Sequence, residues 1–391
     1  MKVAIVHEWL ASYAGSERVV EQFLKCWPNA PLYAIADFLS EKDRKRIGFE
    51  EARTTFIQKL PKAATKFRNY LPLMPLAVEQ HDMSSYDVIV SSNHAFAKGV
   101  ITGPEQLHIS YVHTPIRYAW DLQHQYLSEA GLTRGLKSWI TRAILHYVRL
   151  WDQAAANRVD VMVANSKYIG RRIWRTYRRE SEVIYPPVDV DSFPLHEKKE
   201  DFYLAASRMV PYKRMPLIAE AFSKMPDKQL VMIGDGTELD KVREVAGPNV
   251  KVLGYQSFEV LKDHMQRAKA FVFAAEEDFG ITPVEAMASG TPVVAFGRGG
   301  AVETVIPGRT GVHFAEQTVE SLCEGIAHLE DIYPTLSPAQ ISADVQKYSP
   351  QRFRDEMTSL LDRELDQRSP RPRRHSTRVA EESDDAVLVG V

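Results

Sequence analysis

Glu276-Glu277-Asp278-Phe279-Gly280-Ile281-Thr282-Pro283-Val284-Glu285 stands between two apolar runs. Residues 270–275 before it read as a buried strand, and residues 292–296 after it as a second. Between them, Ala286-Met287-Ala288-Ser289-Gly290 reads as a short helix stopped by Gly290. The unit is strand, glycine-bearing loop, helix, strand, which is a βαβ crossover of a parallel sheet. Doubly wound sheets bind ligands at the carboxyl ends of their strands, where this loop lies. Gly280 lets backbone approach a ligand, and the helix start offers N–H groups to an anion. Glu277 and Glu285 flank that anion position, so a phosphate-bearing ligand with hydroxyls on either side suits the stretch. A plainer reading makes Thr282 an N-cap, Pro283 the first helical residue and Glu285 the reciprocal partner of a capping box.

Working outward, the rest of the chain repeats this alternation. The first strand, residues 3–7, leads to Ala14-Gly15-Ser16-Glu17-Arg18, a glycine turn opening a helix toward Cys26. It lacks the three glycines of a dinucleotide fingerprint, which argues against a dehydrogenase. Strands follow at 88–90 and 109–112, and the latter runs into His113-Thr114-Pro115, which places His113 at a cleft. Arg117, Tyr118, Trp120 and Asp121 follow as an aromatic and charged cluster suited to sugars. Further strands read at 161–164 and 182–185 before Pro186-Pro187-Val188-Asp189, a stiff break taken as the domain boundary. The pattern then restarts at 202–206, 230–233 and 250–253. The loop Ser207-Arg208-Met209-Val210-Pro211-Tyr212-Lys213-Arg214 holds Arg208 and Lys213 five residues apart. Arg grips two phosphate oxygens at once, and Lys neutralises a third. Gly297-Arg298-Gly299-Gly300 reads as a flexible loop ahead of Glu303.

Two α/β domains, each doubly wound, would face one another across a cleft. The expected boundaries are an N-terminal domain over 1–185, a C-terminal domain over 186–348, a helix over 349–366 returning to the N-terminal domain, and a disordered tail over 367–391. The tail carries Arg368-Ser369-Pro370-Arg371-Pro372-Arg373-Arg374 and then an acidic run, which cannot build a core.

Composition narrows the function. With 391 residues there is length for two cores, and a net charge of −2 exerts no general pull on nucleic acid. Cys26 and Cys323 stand in unrelated contexts and suggest neither a zinc site nor a disulfide framework. No apolar run nears the roughly 20 residues of a membrane span. A cytoplasmic protein is expected. Residues 56–80 and 134–149 interleave Lys and Arg with large apolar side chains. That mixture suits an anionic membrane surface or a lipid-linked acceptor, as well as an ordinary surface helix with one core face.

Taken together, these residues carry a family resemblance. The chain resembles the retaining glycosyltransferases of family 4, which have the GT-B fold of two Rossmann-like domains. Glu277 and Glu285 with seven residues between them, Ser207-Arg208 with Lys213, and Ala14-Gly15-Ser16-Glu17 all match. The family more often has glycine where Ala14 stands. Val112-His113-Thr114-Pro115 with Arg117, Tyr118 and Trp120-Asp121 looks like a bacterial subgroup that builds surface polysaccharides, often with mannose. The resemblance implies that Arg208 and Lys213 hold the donor diphosphate, that Glu285 accepts from the ribose, and that Glu277 holds the sugar. It also implies that Phe279, Gly280 and Ile281 present backbone N–H groups, that Gly15 approaches the diphosphate, and that His113 meets the sugar near the reacting carbon. The expected activity is hexose transfer with retention, with GDP-mannose as donor and a saccharide, lipid-linked by expectation, as acceptor. No cofactor or metal is expected, since Asp189-Val190-Asp191 lies in the linker and two fixed cations can stabilise the leaving group. The alternatives are a UDP-sugar donor, a UDP-sugar epimerase of the same fold, or a nucleotide-sugar-binding partner without catalysis.

Overall fold

The computed structural model describes residues 1–368. Two parallel sheets carry the chain. The first holds β1 (Val3–Leu10), β2 (Leu32–Asp37), β3 (Arg53–Thr54), β4 (Val88–Asn93), β5 (Leu107–Val112), β6 (Val161–Ala164) and β7 (Glu182–Val183), ordered β3-β2-β1-β4-β5-β6-β7. The second holds β8 (Tyr203–Ala206), β9 (Leu230–Ile233), β10 (Val250–Gly254), β11 (Ala270–Phe273), β12 (Val293–Phe296) and β13 (Gly311–Phe314), ordered β10-β9-β8-β11-β12-β13. β3 and β7 have two residues each, and β3 exists only by pairing with β2, so a run of sequence carries little sign of β3.

Strand order reverses once in each sheet, between β1 and β4 and between β8 and β11. At such a switch point the loops leaving the two strands turn to opposite faces and leave a crevice. The loops after β1, β4, β8 and β11 therefore open onto ligand positions by topology alone. Helices cover both faces, so the strands are buried on both sides: β11 is wholly apolar, whereas the first sheet also buries polar side chains such as Ser91, His108 and Ser110.

The helix Gly15–Cys26 buries Val19, Val20, Phe23 and Leu24. Across from it lies the last described helix, Pro350–Arg368, burying Phe353, Met357, Leu360 and Leu361 in the same core. Phe23 and Phe353 stack at 5.8 Å between centroids. Each such burial is worth about 1.5–3 kcal/mol. The chain thus crosses back to the N-terminal domain after finishing the second sheet. This helix includes residues 367 and 368, which the sequence reading had assigned to the tail. The remainder of that tail, 369–391, lies outside the described residues.

Residues 56–80 do not form one amphipathic helix. They break into 3-10 turns and short helices at Phe56–Lys59, Ala63–Lys66, Phe67–Leu73 and Met74–Glu79, because Pro61, Pro72 and Pro75 interrupt the backbone ladder. Ile57, Phe67, Met74 and Val78 anchor the segment, with Lys59, Lys62, Lys66 and Arg68 exposed. Leu136–Ala156 is one helix of 21 residues. Leu145, Val148 and Ala155 face the core, while Leu136, Trp139, Ile140, Tyr147 and Leu150 are exposed.

Candidate active site

Between the carboxyl ends of the two sheets lies a cavity of about 610 Å³. Nine of the residues singled out from the sequence line it: Gly15, His113, Arg208, Lys213, Glu277, Phe279, Gly280, Ile281 and Glu285. Five cations, Arg18, Arg68, Arg117, Arg208 and Lys213, share the wall with four carboxylates, Glu17, Glu277, Asp278 and Glu285.

The helix Ile281–Ala288 starts two residues earlier than a Thr282 cap requires. Gly280 is its N-cap, at φ 85° in the left-handed region, and no side chain caps the helix. The capping-box reading of Thr282 and Glu285 is therefore wrong. Glu285 is instead buried against the opposite domain, with Arg18 Nη1 2.7 Å from its Oε1. The helix Gly15–Cys26 begins directly opposite, and a Cβ on Gly15 would lie 3.2 Å from Ile281 Cδ1. Two helix starts thus meet across the cavity, each with N–H groups lacking intrahelical partners.

Lys213 contacts the Glu277 carboxylate. Burial first, then the nearby Arg208 and Arg117 guanidinium groups, push its ammonium down to about 8. Arg208 is exposed, touches the Tyr212 hydroxyl at 3.4 Å, and has no carboxylate partner among the described residues. The Gly297-Arg298-Gly299-Gly300 segment is not a ligand loop. It packs under the Glu277 turn, with Gly300 N–H donating to Glu277 O at 2.7 Å.

On the N-terminal side, His113 Nε2 lies 2.8 Å from Ser92 Oγ, and Asn165 donates to the His113 carbonyl at 3.0 Å. Burial, then the neighbouring His94 and His7, hold the His113 ring well below the usual histidine range, so it is neutral. Glu8 is fully buried. Burial alone would raise its pKa, but His94 and the N–H groups of Phe96, Ala97 and Ala95 outweigh it and keep the carboxylate ionised. That carboxylate fixes the turn after β4 and so the place of His94.

The sugar-binding cluster expected after His113 divides. Arg117 lines the cavity and pairs with Asp278. Tyr118 and Trp120 turn into the core instead, Trp120 Nε1 donating to Asp152 Oδ2 at 2.7 Å. Asp152, the partner of the buried Lys98, also accepts from the Tyr177 hydroxyl at 2.9 Å.

Sequence reasoning missed the residues that join the domains. Asp278 takes Arg117 and, at 3.3 Å, Arg172, and its carbonyl accepts from Ser166 Oγ at 2.6 Å. Glu303 accepts the first N–H groups of the helix Lys167–Tyr177, from Lys167 at 2.8 Å and Tyr168 at 2.7 Å. These pairs are 106 to 161 positions apart in the chain, so no local pattern reveals them.

Comparison with known proteins follows the same division. Residues 13–192 match the family model described as Glycosyltransferase Family 4, and residues 189–362 that described as Glycosyl transferases group 1. An uncharacterized glycosyltransferase of Methanocaldococcus jannaschii is 28% identical over 48% of this chain and 55% of its own length. The human GDP-Man:Man(3)GlcNAc(2)-PP-Dol alpha-1,2-mannosyltransferase is 29% identical over 44% of this chain and 41% of its own. The chain thus spans about half the length of the curated relatives it matches. Among solved structures, Anabaena HepE in complex with UDP and glucose superposes with a TM-score of 0.65. It is 19% identical, covering 93% of this chain and 99% of that one, which is a likeness of fold.

Proposed function

The chain belongs to glycosyltransferase family 4, and from that premise we propose that it transfers a hexose from a nucleoside diphosphate sugar, with retention of anomeric configuration. The observation that carries this reading is the single cavity lined by Arg208, Lys213, Glu277, Glu285, Gly15 and His113. Breaking a glycosyl phosphate leaves charge on the departing diphosphate. Arg208, Lys213 and the two opposed helix starts are already placed to receive it.

Within the cavity the carboxylates hold the cations: Glu277 has Lys213 and Glu285 has Arg18. A donor would exchange those partners. Its ribose hydroxyls would donate to Glu285, its sugar hydroxyls to Glu277, and its phosphates would take over the released cations. The exchange is near charge-neutral for the wall, so affinity would follow from fitting both ends of the donor at once. With the diphosphate gripped and His113 beside the sugar, the acceptor hydroxyl would enter on the leaving-group face. The departing phosphate oxygen would take its proton. No metal step is required in this scheme.

The donor is GDP-mannose in this reading. Support comes from the GDP-mannose-using human relative and from the His113-Thr114-Pro115 context. A UDP-sugar would occupy the same frame, because the base contacts lie outside the residues argued above. Calorimetric titration with GDP-mannose, UDP-glucose and an ADP-sugar separates them. NMR of the product anomer tests retention, and an inverted linkage would remove the mechanism. Conversion of a UDP-sugar without any acceptor would instead indicate an epimerase.

The acceptor is a saccharide on a lipid carrier, in bacterial-type surface polysaccharide synthesis, and the protein works on the cytoplasmic face of a membrane. Two observations support this. Leu136, Trp139, Ile140, Tyr147 and Leu150 project from one helix and are 46–74% exposed. Lys59, Lys62 and Lys66 are exposed in the same domain. No described helix is long and apolar enough to cross a membrane. Flotation on liposomes with and without anionic lipid tests the surface, and equal recovery in both would reject the electrostatic part.

A further inference from the structure

Behind His113 runs a chain of buried polar groups that the donor scheme does not use. Ser92 Oγ lies 2.8 Å from His113 Nε2 and 3.1 Å from His7 Nδ1. His7 and Ser92 are wholly buried. The far ring nitrogen, His7 Nε2, has no hydrogen-bond partner among the described residues, and Glu17 Oε1 faces it at 3.6 Å. The other Glu17 oxygen is engaged: Oε2 accepts from Ala14 N–H and from Ser16 Oγ, each at 3.0 Å.

From this geometry we infer that Glu17, His7 and Ser92 form a relay that sets the tautomer of His113. The direction follows from lone pairs. A carboxylate only accepts, so the proton of a neutral His7 ring belongs on Nε2, facing Glu17. Nδ1 of His7 is then an acceptor, and the Ser92 hydroxyl donates to it. Having spent its one proton, Ser92 accepts from His113, which must carry its proton on Nε2. The remaining nitrogen, His113 Nδ1, is left as an acceptor for the cavity that the residue lines. The desolvation and the neighbouring His94 and His7 that keep His113 neutral are consistent, since a doubly protonated ring would have no acceptor nitrogen to present.

Glu17, His7 and Ser92 are therefore positioning residues. Resting on the reading that the donor sugar lies at His113, the relay selects a hydroxyl donor on the sugar as the ligand of Nδ1. It also ties the glycine loop after β1 to the loop after β5 through buried bonds, so the two sides of the sugar position are set together.

Histidine tautomers can be read from long-range proton–nitrogen correlation spectra of the full chain labelled in its 12 histidines. Loss of signals in His113→Asn and His7→Asn identifies the two rings. The expected result for the unmodified protein is Nε2–H at both. Glu17→Gln reverses the relay. Its carbonyl takes the place of Oε2, where Ala14 and Ser16 demand an acceptor, and its –NH2 then faces His7. His7 and His113 both become Nδ1–H, and kcat falls about tenfold or more while the donor KM stays within about twofold, as a wrong-tautomer histidine would produce. Adding Glu17→Gln to a Ser92→Ala background leaves His113 unmoved, because the link is cut. A His113 that is Nδ1–H in the unmodified protein, or that ignores Glu17→Gln when Ser92 is present, overturns the relay. If GDP-mannose leaves the His113 signals in place while the reversal still occurs in the free protein, the relay stands and the donor reading fails.

Discussion

The two domains share one plan and use it differently. Each has a strand-order reversal, and each sends a glycine-opened helix from the strand beside it, Gly15–Cys26 after β1 and Ile281–Ala288 after β11. In the C-terminal domain the cavity residues are charged and close in sequence: Arg208 with Lys213, then Glu277 with Glu285. In the N-terminal domain His7 and Ser92 are buried behind the sugar position, and His113, half-buried at the cavity wall, is neutral. Charge handles the diphosphate, where leaving-group stabilisation is needed, and neutral hydrogen bonds orient a neutral sugar. The difference teaches that one fold supplies both chemistries by what it places at its strand ends: charged groups in one domain, and in the other a neutral histidine backed by the buried strand residues His7 and Ser92.

This contrast can be broken most severely on the charged side. Arg208→Ala and Lys213→Ala should each lower kcat by about 100-fold or more, as loss of a preorganised oxyanion donor does. Steady-state rates with GDP-mannose decide it, and near-normal turnover in both variants would end the diphosphate assignment.

A pH titration sharpens the same side. Lys213 is held at about 8, so it carries its charge below that pH and loses it above. Donor binding adds negative charge and raises its affinity for the proton. Donor affinity should be level below pH 8 and fall by up to about tenfold per pH unit above it, with a proton taken up on binding. Lys213→Arg should remove that limb, because Arg keeps its charge. Calorimetry in two buffers of different ionisation heat measures the uptake.

The seam between domains is expected to matter less. Asp278→Ala leaves Arg117 and Arg172 without this carboxylate. A loss of about 1–3 kcal/mol in stability, with a severalfold rise in donor KM, is expected and is read by denaturant unfolding and kinetics. The smallest effect in solution belongs to the outer helix. Trp139→Glu with Leu150→Glu should cut liposome recovery severalfold yet leave activity on a soluble acceptor within about twofold, since both side chains are exposed.

The alternation of strands and glycine loops, and with it the two doubly wound sheets, was legible because most elements advertise themselves within a few residues; β2, β3 and β13 were not read. So were Arg208, Lys213, Glu277, Glu285, Gly15 and His113, since strand ends and helix starts mark ligand positions in this architecture. The cap on the Ile281–Ala288 helix was misread. Thr282-Pro283 satisfies local rules as well as Gly280 does, and only the left-handed backbone at Gly280 distinguishes them.

What lay beyond reach was pairing at long range. Arg18 meets Glu285 across 267 positions, and Trp120 leaves the cleft to serve Asp152. Residue order alone established which groups stand at strand ends, because that depends on short-range pattern and steric propensity. Which of them share a proton, a charge or a wall was settled only when the sheets came face to face, because such contacts depend on distances that chain position does not encode.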